Sequence, residues 1–520
     1  MLTLRATFSP VAHLLPNPTE WGIESHVSTI AIAITTLWLI LGSGYVLRTK
    51  KDGNVYDLGG IPIVTAWTFF TKRWDFLCGH FANTGGRMFR FRVMQHRVIA
   101  LTGEQSRKIF FNNHSLDISE GYRILLGGIP NLEDIDISKE FETKRQEEIK
   151  RILMLFRSDR VAEILPTLLH DLNQRMLGWK KEGKMDPFNE VYDLVFQMTV
   201  RLATCRELAE DKAAVTQLSG HYWNLEKSGT PVSVLLPWFP GSAKKRKGKA
   251  TMALYRMLGS YVELRRNAST PTIDTIDHLI GQGLSDNVVI STIMAVVFAG
   301  VVNTGVNACW LLLHLGANPT WKARAIEEYA ALVDKHTDTI STEPLHKRLA
   351  AVPISAWENE LPSIDLIIRE NVRITTPAAA LRRNLVKEFM VDDVVIKRGD
   401  FLLYSMGGLH MDPNIYPDPS KFDPNRYVAG RAEDRKEALA FVGWGAGRHP
   451  CAGMKIATLE LKLILALMLL GYEYELVDGS GKSLESLPQP DRNDLHHVRC
   501  LHDRSADGMF RLIFVHRRVH

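Results

Sequence analysis

The sequence predicts a mainly α-helical fold with small β-sheets, preceded by a single transmembrane helix. Three observations carry that prediction. Residues 28–47, STIAIAITTLWLILGSGYVL, hold no charge, and a helix of about twenty such residues spans a bilayer core. Apolar residues recur with a helical period through most of residues 138–314. Period-two alternation is confined to short stretches, MFRFRV, HRVIAL and FMVDDVVIKRGDFLL.

Taken in order, residues 1–27 form a short N-terminal segment and residues 28–47 the anchor. Arg48, Lys50 and Lys51 follow at once. Positive residues favour the cytoplasmic side, so the rest of the chain is expected there. The apolar run is long for a cleaved signal, starts late and lacks a basic leader, so the anchor is read as retained. The sequons at Asn113 and Asn267 then stay unglycosylated. Residues 48–65 read as a linker and residues 66–520 as one large domain. Helix, two strands and helix are expected across residues 66–110. A second uncharged run, Val288 to Pro319, is interrupted by Gly300, Asn303, Thr304, Gly305 and Asn307 and has no basic flank. It reads as a helix buried in a protein core, with a bilayer span as the lesser alternative. Strands are expected at 380–405, a loop from Asp412 to Asn425, and a helix after Cys451.

Net charge is +5, from 63 basic and 58 acidic residues, too little to argue for nucleic acid. Five cysteines, Cys78, Cys205, Cys309, Cys451 and Cys500, are odd in number and form no CxxC pair. Neither a disulfide framework nor a zinc site fits, and reduced thiols are expected.

One cysteine stands apart. In FVGWGAGRHPCAGMKIATLE, residues 441–460, Cys451 follows three glycines and a proline and opens a helical pattern. A sulfur there meets free backbone N–H groups and the positive helix end. Glycines let the backbone turn tightly and let a flat ligand approach. Metal ligation and nucleophilic catalysis both suit the arrangement, and a buried apolar cysteine is the plain alternative. Upstream, Glu370 and Arg373 in LIIRENVRITTP share one helical face, with Ile364, Ile367, Ile368 and Val372 on the apolar side. The stretch KFDPNRY carries Phe422, Pro424, Arg426 and Tyr427 and by itself reads as a turn.

Together and in this order, these segments resemble the cytochrome P450 family, in which a cysteine thiolate holds haem iron. The family's loop pattern, Phe-x-x-Gly-x-Arg-x-Cys-x-Gly, meets Trp444, Gly447, His449, Cys451 and Gly453 here. The resemblance implies haem b held between a long central helix and the cysteine-loop helix, with Cys451 as the axial ligand of iron. Glu370 and Arg373 match the family's Glu-x-x-Arg, and Phe422, Pro424 and Arg426 match its Phe-x-Pro-x-Arg. Arg426 is then expected to join the pair in a charged cluster supporting the haem loop. Phe141 and Arg145 resemble the family's Trp-x-x-x-Arg only weakly.

Three departures stand out. Trp444 replaces the usual Phe. His449 replaces the arginine that contacts a haem propionate, as also in sterol 14α-demethylases, and it makes that contact sensitive to pH. Arg382 or Arg383 is the candidate for a permanent charge. The central-helix pattern (Ala/Gly)-Gly-x-(Asp/Glu)-Thr-(Thr/Ser) reads Ala299-Gly300-Val301-Val302-Asn303-Thr304. Val302 cannot carry a proton, and Asn303 stands at the threonine position. This resembles bile-acid sterol hydroxylases and prostacyclin synthase. It implies that Asn303, or Thr304 with a water, steadies the distal oxygen; the alternative is an asparagine that satisfies a buried carbonyl.

The resemblance further implies electrons from NADPH through NADPH–cytochrome P450 reductase; Arg448 and Lys455 read equally as residues that meet its acidic face and as ordinary solvated charges. It implies a single-pass protein of the endoplasmic reticulum membrane with its catalytic domain in the cytosol. For the loop PVSVLLPWFPG, residues 231–241, followed by Lys244, Lys245, Arg246, Lys247 and Lys249, the resemblance implies a segment dipping into membrane lipid, with a surface loop and a solvated basic run as the alternative. Ala299, Gly300, Asn303, Ala378, Ala379, Ala380 and residues 506–509 are candidates for the pocket. Small side chains there leave room for a lipophilic, terpenoid or sterol-like substrate. The chain as a whole resembles fungal secondary-metabolism members. The alternatives are a haem-thiolate isomerase or dehydratase, which would turn over without NADPH, and a haem-binding sensor or scaffold, which would not turn over.

Overall fold

The computed structural model describes residues 31–32, 35–36, 51–52, 55–125, 145–235, 241–338, 342–376, 379–477, 482–484, 486–487, 489–494 and 513–518. Most of the expected anchor lies outside the described residues, as do Phe141, residues 236–240, Ala378, Cys500 and residues 506–509.

Among the described residues, seven strands build the main sheet: β1 (Lys51–Asp52), β2 (Val55–Asp57), β3 (Phe89–Val93), β4 (His96–Leu101), β5 (Leu116–Asp117), β7 (Ala379–Asn384) and β10 (Phe401–Ser405), in the order β1-β2-β3-β4-β10-β7-β5. The expected strands fall where alternation placed them. In β3, Phe89, Phe91 and Val93 point inward while Arg90 and Arg92 do not. β3 and β4 form a hairpin with Val93 opposite His96. β4 then pairs in parallel with β10, Val98 opposite Phe401, joining distant parts of the chain. Strands β1 and β2 lie within residues 48–65, so part of the expected linker is sheet: Val55 is buried and Tyr56 N–H donates to Met88 O at 3.1 Å. A third sheet joins β6 (Glu182–Met185) to the late strands β13 (Tyr472–Val477) and β14 (Ile513–Arg518), and β8 (Phe389–Val391) pairs with β9 (Val394–Ile396).

Eight helices matter for the site: α1 (Pro62–Thr71), α2 (Glu104–Asn112), α3 (Ile118–Leu125), α4 (Pro187–Ala203), α5 (Ser242–Arg266), α6 (Asp286–Gly316), α7 (Pro362–Thr375) and α8 (Met454–Gly471). α6 has 31 residues, about 46 Å of helix. Asp286 in its first turn suits the positive end of the dipole. Among the described residues it is the one helix long and apolar enough to cross a membrane. Its side chains instead fill the protein core, packed by α4, α5, α7 and α8. Three of its glycines permit that packing. A side chain at Gly300 would meet Thr199 Cγ2 at 3.1 Å, one at Gly305 would overlap the Tyr192 ring, and one at Gly316 would meet Leu476 at 2.8 Å. α1 seats on the sheet through Phe69, whose ring lies 5.2 Å from that of Phe91.

Candidate functional site

The cysteine loop is a small hairpin. β11 (Gly445–Ala446) pairs antiparallel with β12 (His449–Pro450), and Gly447 and Arg448 make the turn. Gly445 and Gly447 take φ of +70° and +61°, a region that penalises a Cβ. A Cβ would also strike His449 O at 2.6 Å from Gly445, and Phe111 O from Gly447. Arg448 N–H donates to that same Phe111 carbonyl at 3.0 Å, so α2 holds the tip. Cys451 N–H donates to Trp444 O at 2.7 Å, which closes the loop onto the half-buried tryptophan.

Cys451 lies just before α8 with its side chain exposed. Burial of its surroundings pushes the thiol up, and the Gly453 N–H bonded to it pulls the other way. The helix start alone therefore does not ionise this sulfur; a bound metal cation would. Gly453 keeps the flank open, since a side chain there would come within 4.0 Å of Sγ.

Behind the loop sits a buried charge cluster. Glu370 and Arg373 are 0% exposed and Arg426 is 1% exposed. Arg373 donates from Nε to Glu370 Oε2 at 2.9 Å and from Nη2 to Oε1 at 2.8 Å. Arg426 Nε donates to Oε1 at 3.1 Å, and Tyr427 Oη to Oε2 at 2.8 Å. Burial and the neighbouring Glu370 push the Tyr427 phenol up, so it remains a donor. Arg426 also donates to Glu433 at 2.9 Å and to the carbonyl of Asp418 at 2.8 Å. Every charge in this cluster has an opposite charge beside it, which is the condition for burying it at all.

His410 ties the cluster to the loop, a residue that sequence reasoning missed. Its carbonyl accepts from Arg373 Nη1 at 2.6 Å, and its ring Nε2 accepts from Val442 N–H at 3.0 Å. That bond needs a neutral imidazole with its proton on Nδ1. Burial, with the charge of Arg373, lowers the ring to about 3 and keeps it neutral. The ring stacks on Phe441 at 5.3 Å. Arg107 was missed too. It is buried on α2 and donates to Ala438 O at 2.8 Å, to Glu437 at 2.8 Å and to Tyr404 Oη at 3.0 Å. Neither residue carries a local signal, because their partners lie tens to hundreds of residues away.

The central helix α6 presents one open stripe. Ala299 and Asn303 are exposed, Ala295 and Asn307 half-buried, at the four-residue spacing of a single helical face. Val302 lies half-buried beside it, and Thr304 is buried away from it. Gly300 serves the close approach of Thr199. Ala379 and Ala380 are buried in β7 and, by strand alternation, face opposite sides, so one cavity cannot be lined by both. On the same strand Arg382 is 2% exposed, with Nη1 on Leu381 O at 2.8 Å and its guanidinium 5.2 Å from the Phe110 ring. Arg383 is 25% exposed and bonds Glu120 on α3 at 2.8 Å.

The residues fit a haem. One soft sulfur donor stands on an open, glycine-flanked loop, which is the donor set that thiolate-ligated iron requires.

The family model "Cytochrome P450" matches residues 59–491. Cytochrome P450 monooxygenase AacuE of Aspergillus aculeatus is 29% identical, over 87% of this chain and 92% of that protein. Cytochrome P450 monooxygenase nsrP of Aspergillus novofumigatus is 27% identical, over 89% and 91%. An obtusifoliol 14-alpha demethylase of Sorghum bicolor is 25% identical, over 75% and 79%. A solved structure titled retinoic acid bound cyanobacterial CYP120A1 shares the fold with a TM-score of 0.68 at 18% identity, covering 87% of this chain and 97% of its own. The family match takes in the cysteine loop and all its supports: the chain belongs to the cytochrome P450 family and is an oxidoreductase of the monooxygenase type.

Proposed function

We propose that this protein inserts one oxygen atom from dioxygen into a lipophilic small molecule, with electrons drawn from NADPH through a reductase. The observation that carries the reading is Cys451 at the mouth of α8, on a hairpin braced by the Glu370–Arg373–Arg426 cluster through His410. Haem b, if bound there, would supply oxygen activation. The chain's own residues do the rest. Cys451 would hold the group through its sulfur, Gly447 and Gly453 would let the flat group approach, and Trp444 would shield the sulfur. His449, with Arg382 or Arg383 of β7, is assigned to the propionates; Arg382 is buried, and Arg383 is partly open and pairs with Glu120. Asn303 supplies the polar group on the open stripe, with Ala299 beside it leaving space for a bulky skeleton.

The obtusifoliol 14-alpha demethylase among the relatives supports a lipophilic substrate, and within that class we assign a terpenoid or sterol-like molecule of fungal secondary metabolism. A membrane setting suits this substrate. On α1, Val64 and Trp67 are exposed, and α1 packs against the helix Pro231–Leu235, which exposes Val232; the exposed Lys72 follows α1, and the exposed Lys244, Lys245 and Arg246 stand in the first turns of α5. Apolar groups in lipid and cations at headgroups match that surface. We assign the catalytic domain to the cytosolic face of the endoplasmic reticulum. The second reading, an isomerase or dehydratase, rests on Val302 beside Asn303, where no carboxylate stands; turnover without NADPH would select it.

The deciding measurement is the absorption spectrum of the reduced protein with carbon monoxide, for wild type and Cys451→Ser. A red-shifted Soret band lost in the variant is expected. Folded wild type without that band would end the monooxygenase reading.

A further inference from the structure

The open stripe of α6 carries two amides, Asn303 and Asn307. The second is bound on every side. Asn307 Nδ2 donates to Asn303 O at 2.9 Å. Its Oδ1 accepts from Asn371 Nδ2 at 2.8 Å and from Thr375 Oγ1 at 3.0 Å, both on α7. Asn371 is fully buried, and its Oδ1 faces His314 Nδ1 at 2.8 Å. Since Asn371 Nδ2 is committed to Asn307, its Oδ1 must accept and His314 must donate from Nδ1. The His314 ring in turn stacks on Phe422, 4.6 Å between centroids at 16°. Asp423 follows, and its N–H donates to Glu370 Oε1 at 3.1 Å.

The donors therefore run one way, from His314 to Asn371 to Asn307 to the Asn303 carbonyl. A second clamp acts from the back of α6. Tyr192 Oη donates to Val302 O at 3.3 Å, and its ring lies over Gly305. Two successive carbonyls of one turn thus each take a side-chain bond, Val302 O from Tyr192 on α4 and Asn303 O from Asn307 of α6 itself, whose amide oxygen is bonded from α7. A buried network with its members satisfied in this way is stiff and specifies one arrangement. The stiffened turn is the one that carries Asn303.

We propose that Asn307, held by Asn371 and Thr375, is a positioning residue that fixes the rotation of the α6 turn at 302–305 and so sets the Asn303 carboxamide on the open stripe. Asn371 and Thr375 sit on the same helix as Glu370 and Arg373. One helix, α7, therefore braces the sulfur side of the site and orients the polar group on the opposite side. This deepens the function proposed above and rests on it, because it takes the stripe to face the ligand of the iron.

The test uses haem-loaded wild type, Asn303→Ala, Asn307→Leu and the milder Thr375→Val. Infrared spectroscopy reads the C–O stretch of the reduced carbon monoxide complex, which senses polar groups near the ligand. Hydrogen exchange is followed in parallel for residues 299–307. Asn303→Ala is expected to shift the C–O stretch. Asn307→Leu is expected to broaden it towards the Asn303→Ala position with the Soret band unchanged, and to speed exchange of the turn about tenfold, the size of one lost hydrogen bond. Thr375→Val should do the same more weakly, and it carries the test if Asn307→Leu does not fold. A C–O stretch left at the wild-type position in both Asn307→Leu and Thr375→Val, or insensitive to Asn303→Ala, overturns the proposal. So does unchanged exchange in the turn, a reading that needs no haem. Failure of the haem-thiolate reading would look different: no thiolate-type Soret band in wild type.

Discussion

Glu370 shows what a single side chain carries here. Its two oxygens meet two guanidinium groups, a phenol and a backbone N–H with no solvent to share the load. Glu370→Ala leaves the buried Arg373 without its carboxylate and Arg426 with Glu433 alone, and removing one partner of such a set costs about 3–5 kcal/mol. Urea titration of the variant should show that loss, together with loss of haem; stability within about 1 kcal/mol of wild type would contradict it. The buried histidines set the response to acid. His314 is lowered to about 4 by burial, and His410 to about 3. An unfolded histidine takes a proton near its ordinary value of about 6.5, while the folded one does not. The stability they contribute is complete above pH about 6.5 and falls as pH drops towards the folded values. For His314 the span of some two and a half units is worth of the order of 3 kcal/mol. His314→Asn should flatten part of that acid slope in thermal denaturation followed from pH 7 to 4.5, and an unchanged slope would show that the ring is not held neutral. At this scale the sequence was legible where spacing is local. Glu370, Arg373 and Arg426 stand in short patterns. His410, Asn307 and Arg107 matter through partners that only the fold delivers.

Among the elements, the cysteine hairpin is the most constrained. Gly447 combines a left-handed φ with contact against the Phe111 carbonyl. Gly447→Ala costs about 1–2 kcal/mol from the backbone conformation alone, before the overlap is relieved. The loop would have to lift from α2. The expected result is a carbon monoxide complex that converts to the form lacking the thiolate band, measured as the ratio of the two Soret bands over time. A ratio equal to wild type would mean the turn tolerates a Cβ. The larger elements were readable because their patterns are long. The run from Val288 was identified as a core helix by its polar interruptions, and α6 is that helix. The β3–β4 hairpin followed from alternation. Strands β1 and β2 were not readable, because two or three residues are too few for any period to register. The faces of β7 were not readable for a similar reason: the run Ala378 to Ala380 has no alternation to tell them apart.

For the molecule as a whole, the outward surface of α1 and the helix Pro231–Leu235 gives the prediction. Trp67→Glu places a charge among apolar groups and should lower partitioning of the catalytic domain onto anionic vesicles, read by sedimentation, while leaving the carbon monoxide spectrum intact. Equal partitioning would remove this surface from the membrane contact. The pairing of β4 with β10 carries another consequence, one of timing during synthesis. The contact between Arg107 and Ala438 spans 331 residues, and the strands beside it are almost as far apart. At roughly 5–20 residues per second, a ribosome needs on the order of 15–65 seconds to deliver the partner. Through that interval the β3–β4 hairpin waits with the β4 edge unpaired, Ile99 and Leu101 lacking their neighbours Leu402 and Tyr404. Nascent chains stalled before residue 401 should therefore recruit chaperones and aggregate, and chains released after it should not.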